Sequence, residues 1–252
     1  MDPVSYEKLF PQLDTFTTEV QQIEVIRKAL SPETRTTIDE LGVILPSDND
    51  PNSPIFPLIY WNAAAALYAY AWGRLSRQEI DVIGHSQLVG AYYKLLFVIF
   101  ILSLSLIWIG YPKLVDLQLQ PQYPSVALLN WTTGEGTAKY WTSKLLIDTA
   151  DLDNDEAVVT NTTGVNNTDI FSQAFSGKNG RRWVLIINKR YANVNVSLNG
   201  CTGGQMQLIN EASGFGPPTV VPLTSDQITL TAFSVAVVHM PSSENRMAKT
   251  KI

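Results

Sequence analysis

The first third of the chain alternates between helix-like and strand-like patterns of apolar residues. From Asp14 to Leu30 these residues lie three or four positions apart, which predicts an amphipathic helix that ends at Ser31-Pro32-Glu33. Thr36 to Val43 predicts a strand, Tyr60 to Leu75 a second helix, and Ile80 to Leu88 a second strand. This order is typical of repeated βα units around a parallel sheet.

After about residue 155 the apolar pattern changes to a period of two, broken by turns rich in Gly, Asn and Pro. The predicted strands are Phe171–Phe175, Arg182–Asn188, Val194–Leu198, Gln205–Asn210, Ile228–Leu230 and Ser234–Met240. Their even spacing predicts an antiparallel β-sandwich. We therefore expect a βα region over residues 1–150, a β-sandwich over 151–241 and a disordered tail over 242–252. A further helix is predicted from Thr137 to Ile147, and Ser125 to Trp131 as a strand or loop.

One apolar run fits neither pattern and predicts an insertion at about residues 91–110. Leu95 to Ile109 contains Leu, Phe, Val, Ile and Trp and is interrupted only by Ser103 and Ser105. Its length is short of the ~20 residues that span a bilayer, although flanking residues could extend it. Three interpretations are open: a transmembrane helix, a buried core helix, or translated non-coding sequence such as a retained intron.

Composition excludes several classes of function. The 252-residue chain carries a formal net charge of -5, so nucleic acid is not an expected partner. Cys201 is the one cysteine, and with two histidines it cannot form a zinc site at recognisable spacing. We expect no metal and no cofactor. No signal peptide is recognisable, yet N-glycosylation triplets begin at Asn130, Asn161, Asn166 and Asn195, so localisation stays unknown.

Glu40 is the main candidate for catalysis. It lies near the end of a predicted strand, directly before the polar loop that runs from Pro46 to Pro54. A retaining glycosidase uses one carboxylate as nucleophile and another, about 5–5.5 Å away, as general acid/base. In a (β/α)₈ barrel, such groups lie at the carboxyl ends of strands. From the residues alone, Glu40 can equally be a surface or structural carboxylate.

The order of several motifs resembles that of clan A glycoside hydrolases, in the arabinofuranosidase, xylosidase and heparanase-like groups. Thr36 to Gly42 resembles the seventh-strand motif, and Tyr60 to Ala66 followed by Ile80 to Val89 is similar to the seventh helix and eighth strand. The stretch from Tyr123 to Trp141 resembles the last loop and helix. Trp183 to Arg190 resembles the start of the accessory β-sandwich.

This resemblance implies the last βα units of a partial (β/α)₈ TIM barrel, an apolar helical insertion and a following antiparallel β-sandwich. It implies a retaining enzyme that acts on O-glycosidic bonds of a carbohydrate substrate, with Glu40 as the nucleophile. Asp39, Asp48, Trp61 and Gln87 fall where residues of the substrate groove are expected. Each of these four can instead have a structural role.

The chain also departs from this family. The general acid/base is expected several strands before the nucleophile, and only 39 residues precede Glu40. The resemblance therefore implies a C-terminal fragment that lacks the general acid/base and is inactive alone, from a protein whose full-length relatives are secreted. Two alternatives are open: a non-catalytic module anchored in a membrane through Leu95–Ile109, or a sugar-binding β-sandwich in which Glu40 is inert.

Overall fold

The computed structural model describes residues 2–43, 56–86, 88, 124–130, 133–151, 154–158, 160 and 168–241. Within them, the helices are α1 (Leu9–Leu30), α2 (Leu58–Ser76) and α3 (Ala138–Thr149). The strands are β1 (Thr37–Leu41), β2 (Val82–His85), β3 (Asp155–Val158), β4 (Ile170–Gly177), β5 (Arg182–Asn188), β6 (Val194–Ser197), β7 (Gln205–Ile209), β8 (Thr219–Pro222), β9 (Gln227–Leu230) and β10 (Val235–His239). Short 3₁₀ turns occur at Pro3–Lys8, Pro124–Val126 and Glu211–Ser213.

Helix α1 begins five residues before the predicted Asp14. Pro11 is compatible with this earlier start because it lies in the first turn, where backbone N–H groups have no intrahelical partner. The helix ends where the backbone N–H of Ser31 donates to the carbonyl of Arg27 at 2.7 Å, directly before Pro32. Its buried face carries Phe10, Leu13 and Val20, and it packs against α2.

Helix α2 is the most deeply buried helix of the described chain. Its alanines at positions 63–66 are at most 3% exposed, so neighbouring elements approach its backbone closely. It packs against α1, α3 and the strands β5 and β10. The helix therefore connects the βα region to the antiparallel region through one continuous apolar core.

Strands β1 and β2 form a parallel pair, as the sequence predicted. Both are shorter than predicted, at five and four residues. Helix α2 connects them, and Ile38, Leu41 and Ile83 pack against the core that the helices share. This arrangement is one βα unit with helices on one side of its strands.

The antiparallel expectation is also confirmed. Six strands pair in the order β3-β4-β5-β10-β7-β8, and β6 pairs with β9 in a second antiparallel sheet. In β5, Trp183, Leu185 and Ile187 belong to the core shared with the helices, whereas Val184 and Ile186 pack in a second core with residues of β6 and β9. The large sheet is thus buried on both faces. Strands β3 and β8 were not predicted.

Polar side chains also join the two regions. Arg74 of α2 donates to Asp14 of α1 at 2.7 Å, and the Tyr70 hydroxyl binds the same carboxylate. Burial, reinforced by this carboxylate, raises the pKa of Tyr70 to about 12. The ammonium group of Lys189, next to β5, lies 4.6 Å from the centroid of the Tyr70 ring. Tyr70 is therefore a point of contact between α1, α2 and the large sheet.

None of the helices in the described part of the chain is both long and apolar enough to cross a membrane. The run Leu95–Ile109 lies outside the described residues, so its three interpretations stay as the sequence left them.

Candidate active site

The candidate site is built on an irregularity in the parallel pair. Ile38 pairs with Ile83 and Leu41 pairs with His85, so Asp39 and Glu40 together lie opposite the single residue Gly84. An extra residue of this kind is a β-bulge, which bends the strand and redirects its side chains. Asp39 and Glu40 are both exposed, whereas Ile38 and Leu41 on either side pack against the core. The bulge thus presents two adjacent carboxylates at the carboxyl end of β1.

Two glycines allow the backbone to come close to this bulge. A Cβ atom at Gly84 would lie 2.8 Å from the carbonyl oxygen of Asp39, which is closer than real side chains come. A Cβ atom at Gly42 would lie 3.0 Å from Cγ1 of Val126. Gly84 therefore permits the pairing of β2 with the bulge, and Gly42 permits the segment after β2 to pack over the end of β1.

A short hydrogen-bonded network holds the carboxyl end of β1. The Ser125 hydroxyl donates to the carbonyl oxygen of Val43 at 2.7 Å. The carbonyl oxygen of Ser125 accepts from the Tyr60 hydroxyl at 2.9 Å and from Lys139 Nζ at 2.7 Å. Helices α2 and α3 are thereby tied, through Ser125, to the strand that carries Glu40.

His85 belongs to the support of the site. Its ring stacks on Tyr68 with centroids 3.5 Å apart, and its Nε2 atom lies 2.6 Å from the hydroxyl of Ser143. Because that hydroxyl donates to the carbonyl of Lys139, it accepts from His85, which places the imidazole proton on Nε2. Burial, together with the positive charge of Lys139, lowers the pKa of His85 to about 3. His85 is therefore neutral at neutral pH.

A cavity of about 380 Å³ lies beside the bulge, between β1, β2 and the helices. Its walls include apolar residues of α1 and α2, and its polar lining comes from Gln12, Glu40, Tyr68, His85 and Lys139. Among these lining residues, Glu40 is the one carboxylate. The cavity thus combines an apolar body with a few polar groups, as ligand sites commonly do.

The structure describes three of the five predicted site residues. Glu40 and Asp39 are neighbours on the bulge. Trp61 is partly buried among aromatic rings: its centroid lies 5.8 Å from that of Phe56 and 6.5 Å from that of Phe215, with Lys139 Nζ at 5.3 Å. This position packs α2 against the loop that follows β7. The other two predicted residues, Asp48 and Gln87, lie outside the described residues.

Sequence reasoning missed the residues that support the site. Ser125, Lys139 and Ser143 lie far from Glu40 in the chain. The stretch from Tyr123 to Trp141 resembled the last loop and helix of the family, but that pattern did not single out Ser125 or Lys139 as supports of the site. Gly84 did carry a usable signal, because an isolated glycine in a predicted strand often marks a bulge or a close backbone contact.

No protein-family model matches this chain, and no curated protein matches it either. Solved structures do match. The chain is similar to the glycoside hydrolase family 51 arabinofuranosidase from Xanthomonas axonopodis pv. citri, with a TM-score of 0.56 and 11% identity over 96% of this chain and 48% of that one. It is also similar to the α-L-arabinofuranosidase from Thermotoga maritima, with a TM-score of 0.51 and 13% identity over 93% and 48% of the two chains.

A third match is the catalytic domain of the glycoside hydrolase family 30 xylanase C from Talaromyces cellulolyticus. Its TM-score is 0.51 and its identity 15%, over 84% of this chain and 42% of that one. At such identities the likeness shows the fold: the chain is similar to part of a TIM-barrel glycoside hydrolase. It spans under half the length of these solved structures.

Proposed function

We propose that this chain is the part of a retaining glycoside hydrolase that carries the catalytic nucleophile, Glu40. The observation that supports this most is the exposed Glu40 on a bulge at the carboxyl end of a parallel strand. The fold of the chain is similar to part of a TIM-barrel glycoside hydrolase, and in such barrels catalytic residues lie at the carboxyl ends of strands. The substrate class is an O-glycoside.

In the proposed reaction, a Glu40 oxygen attacks the anomeric carbon while the bond to the leaving oxygen breaks. The leaving oxygen takes the electron pair and a proton from the general acid, and a glycosyl ester forms on Glu40. Water then attacks the anomeric carbon of this ester, the general base takes its proton, and the Glu40 carboxylate is released. We propose that Asp39, the neighbour of Glu40 on the bulge, accepts hydrogen bonds from sugar hydroxyl groups.

The second carboxylate is proposed to come from a part of the protein that the described residues do not include. A retaining mechanism needs that group about 5–5.5 Å from the nucleophile. The described lining of the cavity offers Glu40, neutral His85 and Lys139 but no second carboxylate. We therefore expect the 252-residue chain alone to cleave glycosides with poor leaving groups extremely slowly.

Nucleophilic attack can be tested separately from acid catalysis. A fluoroglycoside with a dinitrophenolate leaving group needs no proton donor in its first step, and the fluorine slows hydrolysis of the ester. We expect incubation of the chain with such arabinosyl and xylosyl compounds to add the mass of one glycosyl group, located on Glu40 by peptide mapping. Glu40→Gln should abolish the label.

Glu156→Gln is the matched control, because Glu156 is an exposed carboxylate on β3, away from the cavity. This variant should be labelled like the unmodified chain. Absence of any label, or a label that persists in Glu40→Gln, would remove the nucleophile assignment. Turnover of an ordinary aryl glycoside that Glu40→Gln abolishes would instead show that the second carboxylate lies within the chain.

A further inference from the structure

A second concave site, with a volume of about 540 Å³, lies in the antiparallel region. Three connections form it: residues 191–193 between β5 and β6, residues 210–212 after β7, and residues 231–232 between β9 and β10. We call these eight residues, with the space they enclose, the loop groove. It shares no lining residue with the cavity beside Glu40. Its volume is within the range of about 300–1,000 Å³ that is typical of small-molecule sites.

Hydrogen bonds within the fold hold the walls of the loop groove. Asn188 is completely buried, and its Nδ2 atom donates to the carbonyl oxygens of Ala192 at 2.7 Å and Thr231 at 2.8 Å. This amide thereby connects two of the three walls. On the third wall, the side-chain oxygen of Asn210 accepts from the backbone N–H of Ser213 at 3.3 Å. Because the walls are already held in place, a ligand loses little free energy in ordering them.

Tyr191 supplies an aromatic surface to the loop groove. Its side chain is 43% exposed, and no other aromatic residue in the described part of the chain is exposed to this degree. The ring stacks on the completely buried Phe233, with centroids 6.1 Å apart and planes inclined by 26°. The backbone N–H of Tyr191 also donates to Oε1 of Glu7 at 2.8 Å. Tyr191 therefore presents a fixed apolar surface that ends in a hydroxyl group.

Polar side chains next to this ring offer both hydrogen-bond donors and acceptors. Asn193 and Glu211 are exposed, and neither side chain has a hydrogen bond or an ion pair with another described residue. The contact between Asn210 and Ser213 uses the amide oxygen of Asn210, so its NH₂ group is left as a donor. Glu211 is the one charged residue of the lining.

We propose that the loop groove binds a neutral oligosaccharide. A sugar ring has a face of C–H groups, which matches the ring of Tyr191, and an edge of hydroxyl groups that both donate and accept hydrogen bonds. Those hydroxyl groups match the amides of Asn193 and Asn210 and the carboxylate of Glu211. An anionic ligand would be repelled by Glu211, and an ammonium group cannot accept from the two amides. The site is separate from Glu40, so it does not depend on the proposed nucleophile.

Isothermal titration calorimetry of the full chain with xylohexaose, arabinohexaose and cellohexaose tests this site. We expect at least one of them to bind. Tyr191→Ala should weaken that binding about tenfold, because the apolar surface is lost. Asn193→Ala should weaken it about threefold to tenfold, the effect of one hydrogen bond. Because the ligand is neutral, the affinity should be nearly the same in about 0.05 M and about 0.5 M sodium chloride.

Asn195→Ala is the matched control for Asn193→Ala, because Asn195 is an exposed asparagine on β6 outside the loop groove. It should leave the affinity unchanged. Circular dichroism will establish that each variant is folded, which is expected of Asn193→Ala because its side chain is exposed.

Three results would overturn the proposal. The first is no binding of any of the three saccharides at millimolar concentration, whatever the labelling of Glu40 shows. The second is binding that Tyr191→Ala and Asn193→Ala both leave unchanged, which would place the saccharide elsewhere on the chain. The third is binding of spermine but of none of the saccharides, which would identify a site for ammonium groups.

Discussion

The parallel pair β1 and β2 and the centre of the antiparallel sheet, β5 and β10, are opposites in burial. In β10, residues 235–238 are completely buried, and both β5 and β10 pair with a strand on each side. In the parallel pair, Val82 is 52% exposed, and among the described strands β1 and β2 pair only with each other. The candidate nucleophile Glu40 is on the exposed pair.

The contrast indicates that the strands that contribute most to the stability of the fold are not the strands that carry the candidate site. The central strands of the sheet bury apolar side chains on two faces, which contributes most of the favourable free energy of folding. The parallel pair depends more on individual polar contacts, such as the hydrogen bond from Ser125 to Val43 and the neutral pair of His85 and Ser143. Elements with few buried apolar contacts open at lower free energy than the core. We therefore expect the site to be the less stable region.

The largest expected effect is at the centre of the sheet. Trp183 is completely buried, stacks on Phe175 with ring centroids 4.0 Å apart, and donates from Nε1 to Asp155 at 2.9 Å. Trp183→Ala should lower the free energy of unfolding by about 3–5 kcal/mol, because it leaves a large cavity. Chemical denaturation followed by circular dichroism measures this change.

Val82→Ala on the parallel pair is the counterpart to that variant. Because about half of the Val82 side chain is already in water, we expect this variant to lower the free energy of unfolding by no more than about 0.5 kcal/mol. Similar losses in the two variants would mean that the parallel pair is as tightly packed as the sheet, and the contrast between the two regions would be wrong.

The same contrast explains how far the sequence predicted the fold. Strongly patterned elements were predicted within a few residues, including β5, whose predicted and observed bounds coincide at Arg182 and Asn188. Strands β3 and β8 were missed because most of their residues are exposed and their sequences, Asp-Glu-Ala-Val and Thr-Val-Val-Pro, are short. The alternation of apolar and polar residues identifies a strand only when one face of that strand is buried, and β3 and β8 bury few side chains.

The sequence predicted the strands of the candidate site but not the contacts that shape it. The strand that carries Glu40 and its parallel partner were both expected, but the bulge was not, because it depends on the register between β1 and β2 rather than on either strand alone. The stacking of His85 on Tyr68 was missed because it depends on how β2 packs against α2 rather than on the sequence of either element. The substrate-binding roles of Asp39, Asp48, Trp61 and Gln87 stay predictions.

A substitution at Gly84 should affect the parallel pair selectively. The new Cβ atom in Gly84→Ala would meet the carbonyl oxygen of Asp39 at 2.8 Å, so the strands must separate. We expect Gly84→Ala to lower the free energy of unfolding by about 1–3 kcal/mol, as substitutions that overpack a well-packed position do. Hydrogen exchange should become faster at amides of β1 and β2 and stay unchanged at those of β5 and β10. If the amides of β1 exchange equally slowly in Gly84→Ala and in the unmodified chain, the close contact at the bulge would be contradicted.

A smaller effect than that of Gly84→Ala is expected from the pH dependence that His85 contributes. Its pKa is about 3 in the folded chain against 6.5 in the unfolded chain, so the unfolded chain binds the extra proton between these values. The stabilisation from neutral His85 is therefore complete above pH 6.5 and decreases as the pH falls towards 3. From pH 7 to about pH 5.5, this loss should be about 1 kcal/mol.

His85→Asn removes the titrating group, so the difference in free energy of unfolding between the unmodified chain and this variant should narrow by that amount as the pH falls. Denaturation series at several pH values measure the difference, in which the other titrating groups cancel. Burial also lowers the pKa of His239, which lies on β10 of the large antiparallel sheet. The same measurement on a His239 variant compares the pH dependence of stability in that sheet with that in the parallel pair. If the free energies of unfolding of His85→Asn and of the unmodified chain change in parallel over the whole pH range, His85 is not held neutral by its burial and by the positive charge of Lys139. In that case the hydrogen bond from the Ser125 hydroxyl to the carbonyl oxygen of Val43, rather than the neutral imidazole of His85, would be what stabilises the parallel pair.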